Sequence, residues 1–220
     1  MTPERFARIR RVIDRRQPDL TVLMDGVHKP HNLAAIARSC DAVGVGELHA
    51  VGPGARPRLT QKAAGGVGRW VSVRHHRGAV EAVNHLRSAG LRIFAAHVDP
   101  QAHDFREIDY TRPTAIAVGA ELEGISASLL EHVDGIVHIP LLGMVESLNV
   151  SVATALMLFE AQRQRLAAGF YDKPRLPPDV RDRLLFELAW PRLAAALRRA
   201  GRPYPRLGDD GFPRRGEPKR

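Results

Sequence analysis

The stretch His138–Glu160, HIPLLGMVESLNVSVATALMLFE, constrains the fold more than any other part of the chain. It starts as a short apolar strand that stops at Ile139, because Pro140 has no N–H to give to a sheet ladder. The loop from Leu141 to Ser147 combines Gly143, which tolerates unusual backbone angles, with Leu141, Leu142 and Met144, which are too apolar for a solvated turn. Asn149, or Ser147 before it, caps a helix that Val150, Val152, Ala153, Leu156, Met157 and Phe159 nearly encircle. A helix apolar on most sides is expected to be buried. An apolar loop running straight onto it is expected to be a pocket wall with backbone groups open to a ligand. An ordinary strand–turn–helix of an α/β core accounts for the same residues.

The rest of the chain supplies that core. Leu20–Met24 reads as a buried strand, Asn32–Val43 as a helix with Leu33, Ile36, Ala37 and Cys40 inward, and Glu47–Val51 as a second strand. This β-α-β unit implies a parallel pair. Strands follow at Trp70–Val73, Leu91–Val98, Thr114–Val118 and Gly135–Ile139, with helices at Ala79–Ala89 and from Ser126 to His132. A Gly-, Pro- and Arg-rich loop spans Gly52–Gly68, and a polar connection spans Pro100–Pro113. The expected fold class is α/β, a mostly parallel sheet flanked by helices, with helical extensions at both ends. A basic helix occupies 1–19, the main domain 20–168, and a helix from Pro178 to Trp190 with a basic tail 169–220. Residues 191–220 hold nine basic and three acidic side chains, and read as helical through Leu193–Arg199 and otherwise disordered.

Charge narrows the partner. The net charge is +9 and arginine dominates the bases, so a polyanion is expected, against the alternative of a merely arginine-rich composition. The first helix carries Arg8, Arg11 and Arg15 as a stripe beside Phe6, Ile9, Val12 and Ile13, with only Glu4 and Asp14 opposing it, which favours phosphate contact over a plain solvated face. Cys40 is the only cysteine, so no intramolecular disulfide is possible, as in a reducing cytosol. The first twenty residues, with six arginines, do not resemble a secretory signal, and no apolar run approaches the ~18 residues of a membrane span. A soluble, cytoplasmic protein is expected.

Three stretches can carry chemistry. In VHKPHNLAAIARSCDAVG, Val27–Gly44, Asn32 stands at a helix N-terminus with Arg38 six residues on, and His28, Lys29 and His31 crowd the loop before it. That is a phosphate site, unless Asn32 is only an N-cap and Arg38 only a surface ion pair. In GAELEG, Gly119 permits close backbone approach at the carboxyl end of a strand, where open α/β sheets bind ligands, and Glu121 can accept a hydrogen bond. The opening stretch is the third. GVGELH is not a dinucleotide fingerprint, no GxxxxGK[ST] loop exists, and ten histidines with one cysteine show no zinc spacing, so no metal is expected.

In this order the three stretches resemble the SPOUT superfamily of knotted methyltransferases. Within it they are most similar to the tRNA (guanosine-2'-O)-methyltransferases that act on position 18 of the D-loop. The likeness runs through RQPDLTVLMDGVHKPHNLAAIARSCDAVG, DFREIDYTRPTA, GAELEG and IPLLGMVESLNVSVATALMLFEAQRQRL. It implies a C-terminal trefoil knot, S-adenosyl-L-methionine as cofactor, a homodimer and a tRNA substrate. By motif, Asn32 and Arg38 fall on the family's catalytic pair, Glu121 on the acid of the second motif, and Ser147 and Asn149 on the polar positions of the third. Ala96, Gly119, Ile139, Met144 and Leu148 would line the cofactor pocket, and Arg8, Arg11, Arg15, His31, Arg163 and Arg165 would meet RNA. Ala120 departs from the family's frequent asparagine. The family gives Arg38 the part of base, which a guanidinium with a pKa above ~12 fills poorly; His31, with an ordinary value near ~6.5, is the alternative acceptor. A ribosomal-RNA methyltransferase, which often carries an added N-terminal RNA-binding domain, and a non-catalytic RNA-binding protein are the rival readings. The missing fingerprint argues against a nucleotide-dependent oxidoreductase.

Overall fold

A computed structural model describes residues 1–52 and 66–214. Its strands are β1 (Leu20–Asp25), β2 (Glu47–Val51), β3 (Ser72–His76), β4 (Arg92–Ala96), β5 (His103–Asp104), β6 (Thr114–Gly119) and β7 (Gly135–His138). Its helices are α1 (Pro3–Asp14), α2 (Pro30–Ala42), α3 (Ala79–Ser88), α4 (Ala127–Leu130), α5 (Val150–Ala167), α6 (Pro178–Ala189) and α7 (Pro191–Arg199). The chain divides into two compact units, Gln17–Gly169 and a smaller one joining Met1–Arg16 to the segment from Phe170 onward.

In the larger unit all seven strands pair in parallel, in the order β3-β2-β1-β6-β4-β7-β5. β6 enters between β1 and β4, so the first and sixth strands of the chain lie side by side, in register from Leu20↔Thr114 to Asp25↔Gly119. Both are covered on both faces, which is why LTVLM and TAIAV are continuous buried runs instead of alternating ones. On one face Leu33, Ile36 and Cys40 of α2 and Met157, Leu158 and Ala161 of α5 pack over Val22, Met24, Ile116 and Val118. On the other, Ala82, Val83 and Leu86 of α3 and Leu129 of α4 cover Leu23, Ile93, Ala95, Ala115 and Ala117. The loops after β1, β6 and β7 therefore leave the same edge of the sheet.

In the smaller unit Phe6, Ile9 and Ile13 bury the inner face of α1, and Arg181 Nε donates to Asp14 Oδ1 across 2.6 Å to tie α6 to α1. The expected disordered tail is corrected here as far as Arg214. Tyr204 stacks on Phe186 at 4.7 Å, Trp190 Nε1 donates to Gly211 O at 2.8 Å, and Leu207 bridges to Pro213. Two aromatics, Tyr204 and Phe212, anchor a segment whose polar composition concealed them. The remaining tail residues, and most of the Gly52–Gly68 loop, lie outside the described residues.

Other expectations change in detail. The strand expected at Trp70–Val73 runs from Ser72 to His76, behind a 3-10 turn at Val67–Arg69. The polar Pro100–Pro113 connection contains β5 and buries Phe105 and Tyr110. Helix α5 is not buried all round: Val150, Thr154, Met157 and Ala161 face the core, while Val152, Leu156 and Phe159 are exposed at 43–50%. The loop before it is likewise open, with Leu142 and Met144 fully exposed.

Candidate active site

Chain geometry brings the three sequence stretches to one place, beginning with Asn149. It is the N-cap of α5, where its Oδ1 accepts from Ser151 N at 2.9 Å and Ser151 Oγ at 2.6 Å. With its oxygen so used, its amide N–H groups must point away from the helix. They donate to Glu121 Oε1 at 2.6 Å and to Asn32 Oδ1 at 3.2 Å. Asn32 in turn donates from Nδ2 to Glu121 Oε1 at 3.0 Å, and Lys29 Nζ binds Glu121 Oε2. One carboxylate thus gathers a lysine and two amides from three loops.

Asn32 is not the N-cap that its position suggested. Pro30 opens α2, Lys29 is the cap residue but makes no capping bond with its side chain, and Asn32 lies inside the first turn, 2% exposed. A proline suits the first helical position because its missing N–H would have had no partner there. This leaves the buried amide free to serve Glu121. Hydrogen bonds from Lys29, then Asn32, hold the Glu121 carboxyl below its ordinary value, so it is ionised at neutral pH.

The turn bearing Glu121 is fixed by close backbone packing. Ala120 and Gly124 pair both ways, at 3.0 and 2.9 Å, and a Cβ on Gly119 would lie 2.1 Å from the Gly124 carbonyl carbon. Gly124 itself has φ +68°, which side chains other than glycine's rarely adopt. Asp25, buried at the end of β1, accepts from Ser126 N at 2.8 Å and pins the far end of the turn. Asp25 and Lys29 are contributors to this geometry that the sequence reading passed over. Lys29 was noticed only as part of a basic loop, and nothing in the spacing tied Asp25 to a residue 101 positions on.

Beside the cluster lies a cavity of ≈ 870 Å³. The carboxyl ends of β4, β6 and β7 form its floor, Val118, Val137 and Met157 give it apolar walls, and Glu121, Ser147 and Asn149 stand on its lining. Ala96, Gly119, Ile139 and Leu148 line it as well. Met144 does not: its side chain is fully exposed to solvent, while Leu141 and the residues from Val145 to Leu148 of the same loop border the cavity. His138, also on the lining, has a buried Nδ1 with no hydrogen-bond partner among the described residues.

The basic residues separate into three kinds. Arg8 and Arg11 are exposed on α1, Arg15 is exposed at its C-cap, and His31 is exposed on α2. Arg163 is exposed but held by Glu160 in a two-pronged pair, Nε to Oε2 at 2.8 Å and NH2 to Oε1 at 2.7 Å. Arg165 is corrected outright as an RNA contact: it is 0% exposed and consumed by the protein interior. Arg38 is exposed on α2, outside the cavity lining, and makes no side-chain hydrogen bond among the described residues. Six helical positions from Asn32 place it on another side of α2.

The chain and its fold have counterparts in known proteins. The chain belongs to the SpoU rRNA Methylase family, matching it over residues 19–159, and matches the family's C-terminal segment over residues 163–212. Among its relatives, the tRNA (guanosine(18)-2'-O)-methyltransferase of Escherichia coli K12 is 53% identical over 213 residues, 96% of this chain and 93% of the relative. The structure of the Aquifex aeolicus TrmH/SpoU tRNA modifying enzyme superposes with TM-score 0.80 at 38% identity, covering 86% of this chain and 96% of that one. An AdoMet-bound rRNA methyltransferase from Sinorhizobium meliloti superposes with TM-score 0.61 at 30% identity, over 70% of this chain and 59% of that one.

Proposed function

We propose that this protein transfers a methyl group from S-adenosyl-L-methionine to the ribose 2'-oxygen of guanosine 18 in tRNA. The observation that carries the reading is the Asn32–Glu121–Asn149 cluster at the wall of the strand-end cavity, in a chain 53% identical to tRNA (guanosine(18)-2'-O)-methyltransferases. When bound, the cofactor supplies an electrophilic methyl carbon. The cavity suits it: its volume lies in the ~300–1,000 Å³ range of ligand sites, its walls are apolar, and His138 Nδ1 awaits a partner. Ala96, Gly119, Ile139 and Leu148 would hold it largely through backbone groups.

The chain's own residues then position the acceptor. Asn32 and Asn149 fix the Glu121 carboxylate, and this preset geometry can orient a ribose hydroxyl toward the cavity for an in-line approach. Orientation of two reactants is worth up to ~7–11 kcal/mol in well-matched cases, so a rigid polar cluster has a large share to contribute. Arg38 stays a cation and cannot take the hydroxyl proton in its charged form. Its role in this reading is to grip a phosphate and steady negative charge on the 2'-oxygen, with His31 near the cluster as proton acceptor.

Because Arg38 is exposed and does not line the cavity of its own chain, the reading includes a homodimer in which a second copy brings its Arg38 to the site. The exposed Val152, Leu156 and Phe159 recur at i, i+4 and i+7 on α5 and supply the apolar face for such a contact. A trefoil knot belongs to the same reading, supported by the entry of β6 and β7 between earlier strands. Arg8, Arg11 and Arg15 form the phosphate-gripping face of α1. The cytoplasm is the compartment this activity requires; among the described residues no helix is long and apolar enough to cross a membrane.

The test is incubation with labelled S-adenosylmethionine and an unmodified tRNA transcript, followed by mapping of the methylated nucleotide. Methyl on the ribose of guanosine 18 supports the reading. Preferential methylation of a ribosomal-RNA fragment, or no transfer to either RNA, overturns it.

A further inference from the structure

The sheet face opposite α2 and α5 holds a second chemistry-bearing cluster that methyl transfer does not use. On β2, Leu48 and Ala50 turn toward α2, so Glu47 and His49 turn the other way, toward α3. There His49 meets His76 from β3 and His85 from α3. The His49 and His76 rings stack with centroids 5.2 Å apart, and the His85 ring lies 5.4 Å from each. His49 and His76 are buried. The ligand atoms of Glu47, His49 and His85 all lie within 4.8 Å of one another.

We propose that Glu47, His49 and His85 form a binding site for a divalent transition metal of the zinc class, with His76 orienting His49 from behind. Two imidazoles and one carboxylate are a donor set that suits such an ion, with a fourth position left for water. Bonds of ~2.0–2.1 Å to a tetrahedral ion place neighbouring ligand atoms ~3.4 Å apart. His49 Nε2 and Glu47 Oε1 are already 3.9 Å apart, so only small side-chain adjustments separate this cluster from a closed site.

The hydrogen bonds around the cluster select the right nitrogen. His49 Nδ1 and His76 Nε2 are paired at 2.9 Å, which leaves His49 Nε2, the atom facing Glu47, as the ligating nitrogen. His76 Nδ1 lies 3.7 Å from Glu81 Oε1, giving a carboxylate–histidine–histidine series behind the ligand. Partners of this kind fix ring orientation and tautomer at metal sites. Arg74 also holds Glu47, from Nε to Oε1 at 3.0 Å, but a carboxylate has about four acceptor positions and can serve a guanidinium and a metal together. The ligands come from one strand and one helix 36 residues further on, which is why no short Cys/His spacing announced them.

The full-length protein, stripped with a chelator and titrated with Zn²⁺ alone in a calorimeter, should bind one equivalent per chain and gain thermal stability. Co²⁺ in its place should give the visible absorption of a tetrahedral site. His85→Ala should weaken Zn²⁺ binding at least ~10-fold, as should Glu47→Gln, which retains an oxygen for Arg74. Both variants should keep the metal-free urea midpoint and methyl transfer of the parent, since neither residue belongs to the cavity or its cluster. Absence of stoichiometric binding, or parental Zn²⁺ affinity in folded His85→Ala, would overturn the proposal by placing any bound ion on other histidines.

Discussion

Helix α5 ends in two polar clusters that use the same chemistry to opposite effect. In its last turn Arg165 spends all five N–H donors inside the protein: on Tyr110 O, Gln17 Oε1, Asp19 Oδ1, Asp19 O and Arg112 O, at 2.6–3.4 Å. Its partners lie just ahead of β1 and β6, so the guanidinium clamps the amino ends of the two central strands to the helix. At the first turn, Asn149 caps the helix, but the cluster it feeds stops at Glu121, whose side chain stays 25% exposed at a cavity. A saturated network holds a fold; one with acceptor capacity left over can hold a substrate.

Breaking the closed end should have the larger effect. Arg165→Met takes the guanidinium away from the Asp19 carboxylate and from buried carbonyls, and removal of one partner from a buried pair costs about 3–5 kcal/mol. Urea unfolding of the variant should show that loss; a midpoint within experimental error of the parent would contradict the clamp. At the open end Glu121→Gln sets an amide among donors, and turnover should fall about 10²-fold, with unfolding free energy changed by less than ~1 kcal/mol. Kinetics beside urea denaturation would show whether the two ends separate in this way.

Two further substitutions sharpen the contrast by smaller steps. Phe159→Asp, on the exposed stripe of α5, should weaken self-association at least ~10-fold, since an unpaired carboxylate would have to be buried. Sedimentation equilibrium of parent and variant would test this; identical molecular masses at every concentration would dismiss the proposed dimer face. Lys29→Met should move the Glu121 pKa upward, toward its ordinary 4.5. The sign follows from linkage: a depressed carboxylate contributes stability above its unfolded value, and loses it as pH falls through the lower folded value. In the parent the cluster should therefore open only in acid below 4.5, and in the variant at a higher pH, read from the Glu121 carboxyl resonance.

Much of the scaffold was legible in the sequence because the signals are local. Apolar runs announced the strands β1, β2, β4, β6 and β7, and the 3.6 period and inward apolar positions announced α1 and α2. The three candidate loops followed from strand ends and glycines. What the sequence withheld depends on distant partners. Arg165 read as one more exposed arginine, since the carbonyls that bury it come from residues 53–55 positions away and its acid from 146. The apolar turn of each strand could be seen, but not that His49 and His76 would meet. The helix was read as starting at Asn32, with a plain cap as the alternative to a functional role there, although Pro30 marked the true start of α2. The exposed half of α5 looked like core for a different reason: periodicity records apolar faces, not whether the same chain covers them.

The most direct measurement is single-turnover methyl transfer by Asn32→Ala, made alongside its affinity for S-adenosylmethionine. Asn32 touches Glu121 and Asn149 but is not on the cavity lining. The expected result is a cofactor affinity within about twofold of the parent and a transfer rate reduced about 10²-fold. A parental rate at guanosine 18 would contradict the assignment of this cluster to the chemistry.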